Sequence, residues 1–326
     1  MVPDLATRVG SVSLPNPVMT ASGTAGHGAE LGAFGPLDRL GAVVVKSLSA
    51  RPWDGNPAPR VREVAAGMLN SVGLQGPGLP AWLDHDLPDL VAAGARVVVS
   101  IWGRTVDDYA AAAALLADAP RAGAGGGAGT GRAGAGKAGG GGGLVAVEVN
   151  VSCPNVEDRS RMFAHSPSAT AEAVDAAGAA GLARWAKLSP NVADVTEIAG
   201  AALSAGAEAL TLVNTLLGLA VDLDSRRPAL GAGGGGLSGP AVHPVAVRAV
   251  WDCRRAFPDA GIVGVGGVFG PQDAVELLLA GADAVQVGTA TFRDPRAPWK
   301  VLDGLRRWCR RHRVAAVADL VGQAQA

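Results

Sequence analysis

The sequence predicts an α/β protein of the (β/α)8 class, a TIM barrel, and two observations carry that expectation. Eight short runs rich in Val, Ile, Leu and Ala recur along the chain. They are apolar almost throughout instead of alternating with polar residues, as strands are when a parallel sheet is covered by helices. Between several of them lie Ala-rich segments with helical periodicity, and eight such units suggest a closed barrel.

Taken in order, the first run, residues 17–21, ends in Ala21-Ser22-Gly23, and the second, 42–46, ends in Lys46-Ser47. The third, 96–101, leads to a helix over 105–117. The fourth, 145–150, runs into Asn150-Val151-Ser152-Cys153-Pro154-Asn155, with a helix over 168–180 beyond it. The fifth, 182–188, passes through Lys187-Leu188-Ser189-Pro190-Asn191 to a helix over 192–205. The sixth, 209–214, ends in Asn214-Thr215, and a helix over 241–257 precedes the seventh, 261–265, which ends in Gly266-Gly267. A helix over 271–280 then leads to the eighth run, 284–287, followed by Gly288-Thr289.

Residues 121–143 are almost entirely Gly and Ala and cannot bury enough surface to offset the entropy of ordering them. They read as a disordered insertion within one domain spanning 1–326. Residues 131–138, GRAGAGKA, nearly match the phosphate-loop pattern GxxxxGK[ST]. Ala138 lacks the hydroxyl that would hold magnesium, and no strand feeds the segment, so the match is assigned to composition.

A formal charge of −1 over 326 residues gives no basic surface for nucleic acid or anionic lipid. Small molecules or proteins are the expected partners. No apolar stretch reaches the roughly 18–20 residues of a membrane helix, and Asp4 and Arg8 interrupt any secretory signal at the start. A cytoplasmic location is expected. Cys153, Cys253 and Cys309 are three and far apart, which fits neither a disulfide framework nor a metal or iron–sulfur site within this chain.

In such a barrel the chemistry sits at the C-terminal strand ends, and here those ends are polar. Glycines after the last two strands let backbone N–H groups approach a phosphate closely; the alternative is that they only turn the chain. Lys46 and Lys187, at the ends of apolar strands, must reach solvent or an anion. Asn70, Asn150 and Asn214 have donors and acceptors suited to the imide edge of a pyrimidine or flavin, though capping a turn is their commoner role. Cys153 lies in a tight polar turn, unlike Cys253 and Cys309 in helical surroundings where a thiol packs as a small apolar group.

Lys46 followed by Gly55-Asn56-Pro57-Ala58-Pro59-Arg60, then 68–75 (MLNSVGLQ), then 150–155 (NVSCPN), 187–191, Asn214-Thr215, 236–241 (GLSGPA) and 264–268 together resemble the class 1 dihydroorotate dehydrogenases. That resemblance implies a barrel binding one FMN, which takes a hydride from C6 of (S)-dihydroorotate while a base takes the C5 proton, giving orotate. Cys153 would be the base, and Lys46 would contact both flavin and substrate. Asn70, Ser71, Val72, Gly73, Leu74, Asn150, Asn214 and Thr215 would hold the pyrimidine. Ser22, Lys46, Ser47, Ser100, Asn150, Lys187, Val213, Gly239, Gly266, Gly267, Gly288 and Thr289 would hold FMN.

The Pro-rich loop, the GGLSGPA segment and residues 160–168 look most like subclass 1B. That subclass implies a homodimer core with two reductase subunits carrying FAD and a 2Fe–2S cluster, which pass electrons to NAD+. A 1A-type enzyme reducing fumarate and a dihydropyrimidine dehydrogenase-like reductase are the alternatives. Two departures stand out: Ser100 occupies a position where the family usually has asparagine, and Trp102 is bulkier than the usual neighbour. His243 stands where the 1B helix commonly has lysine and is expected on the outer surface.

Overall fold

A computed structural model describes residues 2–123, 141–155 and 161–325. It contains the barrel that the sequence predicts. The strands are β1 (Val18–Thr20), β2 (Val43–Val44), β3 (Arg96–Ile101), β4 (Gly143–Asn150), β5 (Ala183–Leu188), β6 (Ala209–Leu212), β7 (Gly261–Val265) and β8 (Ala284–Val287). They form one parallel sheet in the order β1-β8-β7-β6-β5-β4-β3-β2. The ring closes between β1 and β2, where the Gly41 N–H donates to the Val18 carbonyl at 2.8 Å and the Val44 N–H to the Thr20 hydroxyl at 2.8 Å.

Side chains alternate between the barrel axis and the helical layer, as successive residues of a strand must. Met19, Val44, Val98, Ala146, Trp185, Ala209, Val263 and Ala284 form an apolar cluster of their own with Val9, Val12 and Leu14. The last three belong to an antiparallel hairpin, Thr7–Val9 with Val12–Leu14, which packs beneath the barrel and closes its N-terminal end. Two residues further along the strands, the axis-facing positions become polar: Ser100, Glu148, Lys187, Thr211 and Gln286, all buried.

Helices α1 (Leu79–Ala92), α2 (Val106–Ala114), α3 (Pro167–Ala176), α4 (Val195–Ser204), α5 (His243–Ala256), α6 (Pro271–Ala280), α7 (Ala290–Arg293) and α8 (Ala297–His312) complete the fold. Five of these lie where the sequence places them, and α2 starts at a capping box in which Thr105 and Asp108 bond each other's backbone N–H. The helix α1, which has Pro88 inside it, the short α7 and α8 are additional. Cys253 on α5 and Cys309 on α8 are buried as packing residues.

One expectation is corrected. His243 is buried, not on the outer surface: its Nδ1 lies 2.8 Å from the Gly266 carbonyl and its Nε2 lies 3.3 Å from Glu276. It starts α5 against the turn after β7, where a Cβ on Gly267 would meet its Cβ at 2.6 Å, and only its Nε2 edge turns toward the exposed Glu276.

The residues flanking the Gly/Ala segment lie at the N-terminal end of β4. The Leu144 N–H donates to the Pro120 carbonyl, and the Arg121 guanidinium donates to the carbonyls of Ala180 and Gly181. Residues 131–138, with their phosphate-loop likeness, lie outside the described residues, as does most of the expected insertion.

Candidate active site

The C-terminal end of the barrel opens into a cleft of about 830 Å³. That is the size range of small-ligand sites. Over it lies a four-stranded antiparallel sheet of residues 61–64, 67–70, 216–218 and 235–238. Its hairpin at Gly67–Asn70 delivers Asn70 and the following turn to the cleft, and the Asn70 amide donates to the Gly236 carbonyl at 3.2 Å. A Cβ on Gly236 would meet the Thr215 hydroxyl at 2.0 Å, so glycine there is what admits Thr215.

The wall collects the side chains that the sequence singled out. Ser22, Lys46, Ser47, Asn70, Ser71, Val72, Gly73, Leu74, Asn150, Lys187, Val213, Asn214, Thr215, Gly239, Gly266, Gly267, Gly288 and Thr289 all line this one cleft. Two do not. Ser100 is buried beneath Ser47, with the two hydroxyl oxygens 2.9 Å apart. The shorter serine reaches the wall only through Ser47.

Cys153 is the other exception. It lies fully buried behind the wall, its Sγ 3.4 Å from the Asn150 carbonyl oxygen, which also accepts from the Tyr109 hydroxyl at 2.8 Å. Burial pushes its thiol up to about 12, and the hydrogen bond with Tyr109 and the charge of Lys46 offset only part of that. In this arrangement Cys153 is a protonated thiol.

The polar side chains of the wall form one connected network. Ser22 and Ser47 hydroxyls lie 3.1 Å apart, Asn150 Nδ2 donates to Ser47 Oγ at 3.2 Å, and Asn214 Nδ2 donates to Asn150 Oδ1 at 3.2 Å. This fixes which edge of each amide remains for a ligand. Asn56 Nδ2 donates to Ser71 Oγ at 2.8 Å, and Arg60 bonds the Asn56 and Asp54 carbonyls and the Gln75 side chain, so the Pro-rich loop holds the 70–74 turn.

Two lysines converge on the cleft from β2 and β5. The Lys46 ammonium is held below its usual value by burial and then by the neighbouring Lys187, with Cys153 acting the other way. No carboxylate lies within ion-pair distance of Lys46 among the described residues, so an anionic ligand is its natural partner. Lys187 instead lies 3.6 Å from Glu148, an acid that the sequence reading missed. Its signal was a single carboxylate inside the otherwise apolar run 144–149.

At the far side, the backbone N–H groups of Gly266, Gly267, Gly288 and Thr289 have no acceptor within the chain among the described residues. At Gly267, φ is +67° and a Cβ would meet His243 Cβ at 2.6 Å, so only glycine fits this turn. Such a cluster of backbone donors suits a phosphate. A Cβ on Gly23, in the same wall, would meet no protein atom within 4 Å, which leaves room beside the cluster. A second cavity, of about 780 Å³, is lined by residues including Phe34, Phe269, Arg293 and Lys300 and contains none of the thiol, amide or glycine groups described above.

A (β/α)8 barrel whose mouth joins a cluster of free backbone N–H groups, two lysines and an amide wall defines the class: a barrel with a polar cleft suited to small anionic molecules. The family described as dihydroorotate dehydrogenase matches residues 4–123 and 143–308. The chain belongs to that family. It is 42% identical over 323 residues to the dihydroorotate dehydrogenase B (NAD(+)) catalytic subunit of Pelobacter propionicus, covering 99% of each chain. The proteins of the same description from Trichlorobacter lovleyi and Alkaliphilus oremlandii are 41% and 40% identical over 323 residues each, covering 99% and 98% of both chains. Family membership implies a flavin cofactor, and the unsatisfied N–H cluster and the uncompensated Lys46 ammonium fit one.

Proposed function

We propose that the chain is the catalytic subunit of a dihydroorotate dehydrogenase, oxidising (S)-dihydroorotate to orotate with FMN. The observation that carries this is the convergence of Lys46, Asn70, Asn150 and Asn214 on the cleft that also holds the Gly266–Gly267 and Gly288–Thr289 donors. Electrons then pass to NAD+ through a partner subunit, as the relatives' description of an NAD(+)-linked catalytic subunit suggests, and the resemblance to subclass 1B implies that this partner carries FAD and a 2Fe–2S cluster. The working assembly is a homodimer core with two such partners, and residues 1–326 act as one domain with 121–143 as an insertion. No helix among the described residues is long and apolar enough to cross a membrane.

FMN supplies the hydride acceptor when bound. The Gly266, Gly267, Gly288 and Thr289 N–H groups hold its phosphate, and Ser22, Ser47, Lys187, Val213 and Gly239 hold the rest, with Ser100 supporting Ser47. Lys46 offers its ammonium to both flavin and substrate. Asn70, Asn150, Asn214 and Thr215, with the turn Ser71–Leu74, would bind the pyrimidine edges with C5 toward the part of the wall behind which Cys153 lies. To accept the C5 proton, the Cys153 thiol must leave the Asn150 carbonyl and ionise, and Lys46 is the nearby cation that favours the thiolate.

An anaerobic titration with dihydroorotate tests the reading. Stoichiometric bleaching of the oxidised flavin absorbance is expected, with none from dihydrouracil. Bleaching by dihydrouracil instead, or none by either in a flavin-loaded sample, overturns it. Reoxidation by NAD+ only when the partner subunit is added is expected; rapid direct reoxidation by fumarate contradicts the NAD+ assignment.

A further inference from the structure

Beneath the cofactor side of the cleft, the barrel axis carries one acidic side chain. Glu148 on β4 is fully buried, and it is the sole buried carboxylate among the described residues. Gln286, across the axis on β8, donates its amide to Glu148 Oε2 at 2.8 Å, and Glu148 Oε1 lies 3.6 Å from the Lys187 ammonium on β5. Glu148 Oε1 accepts no hydrogen bond. Gln286 therefore fixes the carboxylate by one oxygen and leaves the other turned to Lys187.

A buried carboxylate is costly unless its charge is met. Here it meets one of the two lysines that face the cleft and leaves Lys46 uncompensated. Lys187 is itself almost fully buried, so the carboxylate rather than water governs where its ammonium stands. Gln286 lies two residues before Gly288, which ties the clamp to the strand end carrying two of the phosphate-type N–H groups.

We infer that Glu148, oriented by Gln286, is a positioning residue of the cofactor pocket. It holds the Lys187 ammonium in place and cancels its charge, so that the pocket presents one net cation to the flavin and thereby sets the flavin's reduction potential. This rests on the flavin reading proposed above. A second cation left uncompensated by removal of the carboxylate would favour the more negative, reduced flavin. An added carboxylate would do the opposite.

The test is the midpoint potential of the bound flavin, measured by reduction with dithionite against reference dyes in the holoprotein, with no substrate present. Glu148→Gln is expected to shift the oxidised-to-reduced ratio about tenfold toward reduced flavin, about 30 mV for a two-electron couple. Gln286→Glu is expected to shift it by a similar factor the other way. The double variant Glu148→Gln with Gln286→Glu, which moves the carboxylate across the axis, should return to the wild-type value. Unchanged potentials in both single variants, or shifts of the same sign, overturn the inference. If Glu148→Gln does not retain flavin, Gln286→Glu is compared with the double variant, and equal potentials in those two overturn it. Failure of dihydroorotate to bleach the wild-type flavin would overturn the functional reading alone, because this measurement uses dithionite.

Discussion

The two ends of the barrel are built from the same eight strands and differ in what those strands turn toward the axis. At the N-terminal end the axis is filled by Trp185, Met19, Val98 and Val263 under the 7–14 hairpin, and the packing is wholly apolar. Two residues along five of the strands, the axis carries Ser100, Glu148, Lys187, Thr211 and Gln286 instead. Beyond that layer lie the amides, lysines and glycine turns of the cleft. One end specifies the fold and the other holds the chemistry, and substitutions at the two ends should separate stability from turnover.

The largest expected effect is at the closed end. Trp185 is fully buried, and Trp185→Ala should lower unfolding free energy by about 3–5 kcal/mol, the usual cost of removing a large core side chain. Denaturant unfolding would show it. A loss below about 1 kcal/mol would mean that the apolar end does not carry the fold.

At the open end, Cys153→Ala should leave stability and flavin content near wild type while slowing flavin reduction by dihydroorotate at least about 10²-fold, the usual contribution of a general base. Stopped-flow absorbance reads this directly. An unchanged rate removes Cys153 from the proton transfer.

Gly267→Ala belongs to the same end but acts through the backbone. The left-handed φ and the His243 contact should cost about 1–3 kcal/mol of local strain, read as weaker flavin retention on dialysis. Full retention would mean that this turn does not hold the phosphate.

The pH dependence sharpens the contrast. The active form of a base is deprotonated, and burial raises the Cys153 thiol to about 12. Across neutral and mildly alkaline pH the thiolate fraction then rises about tenfold per unit, so the rate of flavin reduction should climb without a plateau near the ordinary thiol value of about 8.5. A plateau there would mean that substrate binding draws Cys153 out of its buried position.

The smallest effect is expected from replacing residues 124–140 with a short Gly/Ser linker. Their flanks sit at the closed end, and loop length alone changes stability by only about 0.6 kcal/mol per doubling. Flavin reduction should not change, and a lost rate would connect the segment to the site.

The sequence made the strands legible because buried parallel strands are continuous apolar runs: β3, β7 and β8 span the residues read for them. β1 and β2 are shorter at both ends than read, and Lys46, read as the end of β2, bonds the Gly26 carbonyl instead of a neighbouring strand. α1 escaped because Pro88 breaks its pattern, although a helix can keep a proline whose bonds are met locally. The residues of the cleft wall were legible through their positions at strand ends. Those behind it were not: the depth of Cys153, the clamp of Glu148 with Gln286 and the burial of His243 depend on which strands face each other across the axis, and spacing along one strand does not reveal that.

The most direct test of the central claim is a crystal structure of the oxidised protein with orotate. Flavin phosphate is expected at the N–H groups of Gly266, Gly267, Gly288 and Thr289, and orotate between Lys46, Asn70, Asn150 and Asn214 with its C5 toward Cys153. Orotate bound elsewhere, or flavin phosphate away from the two glycine turns, would contradict it.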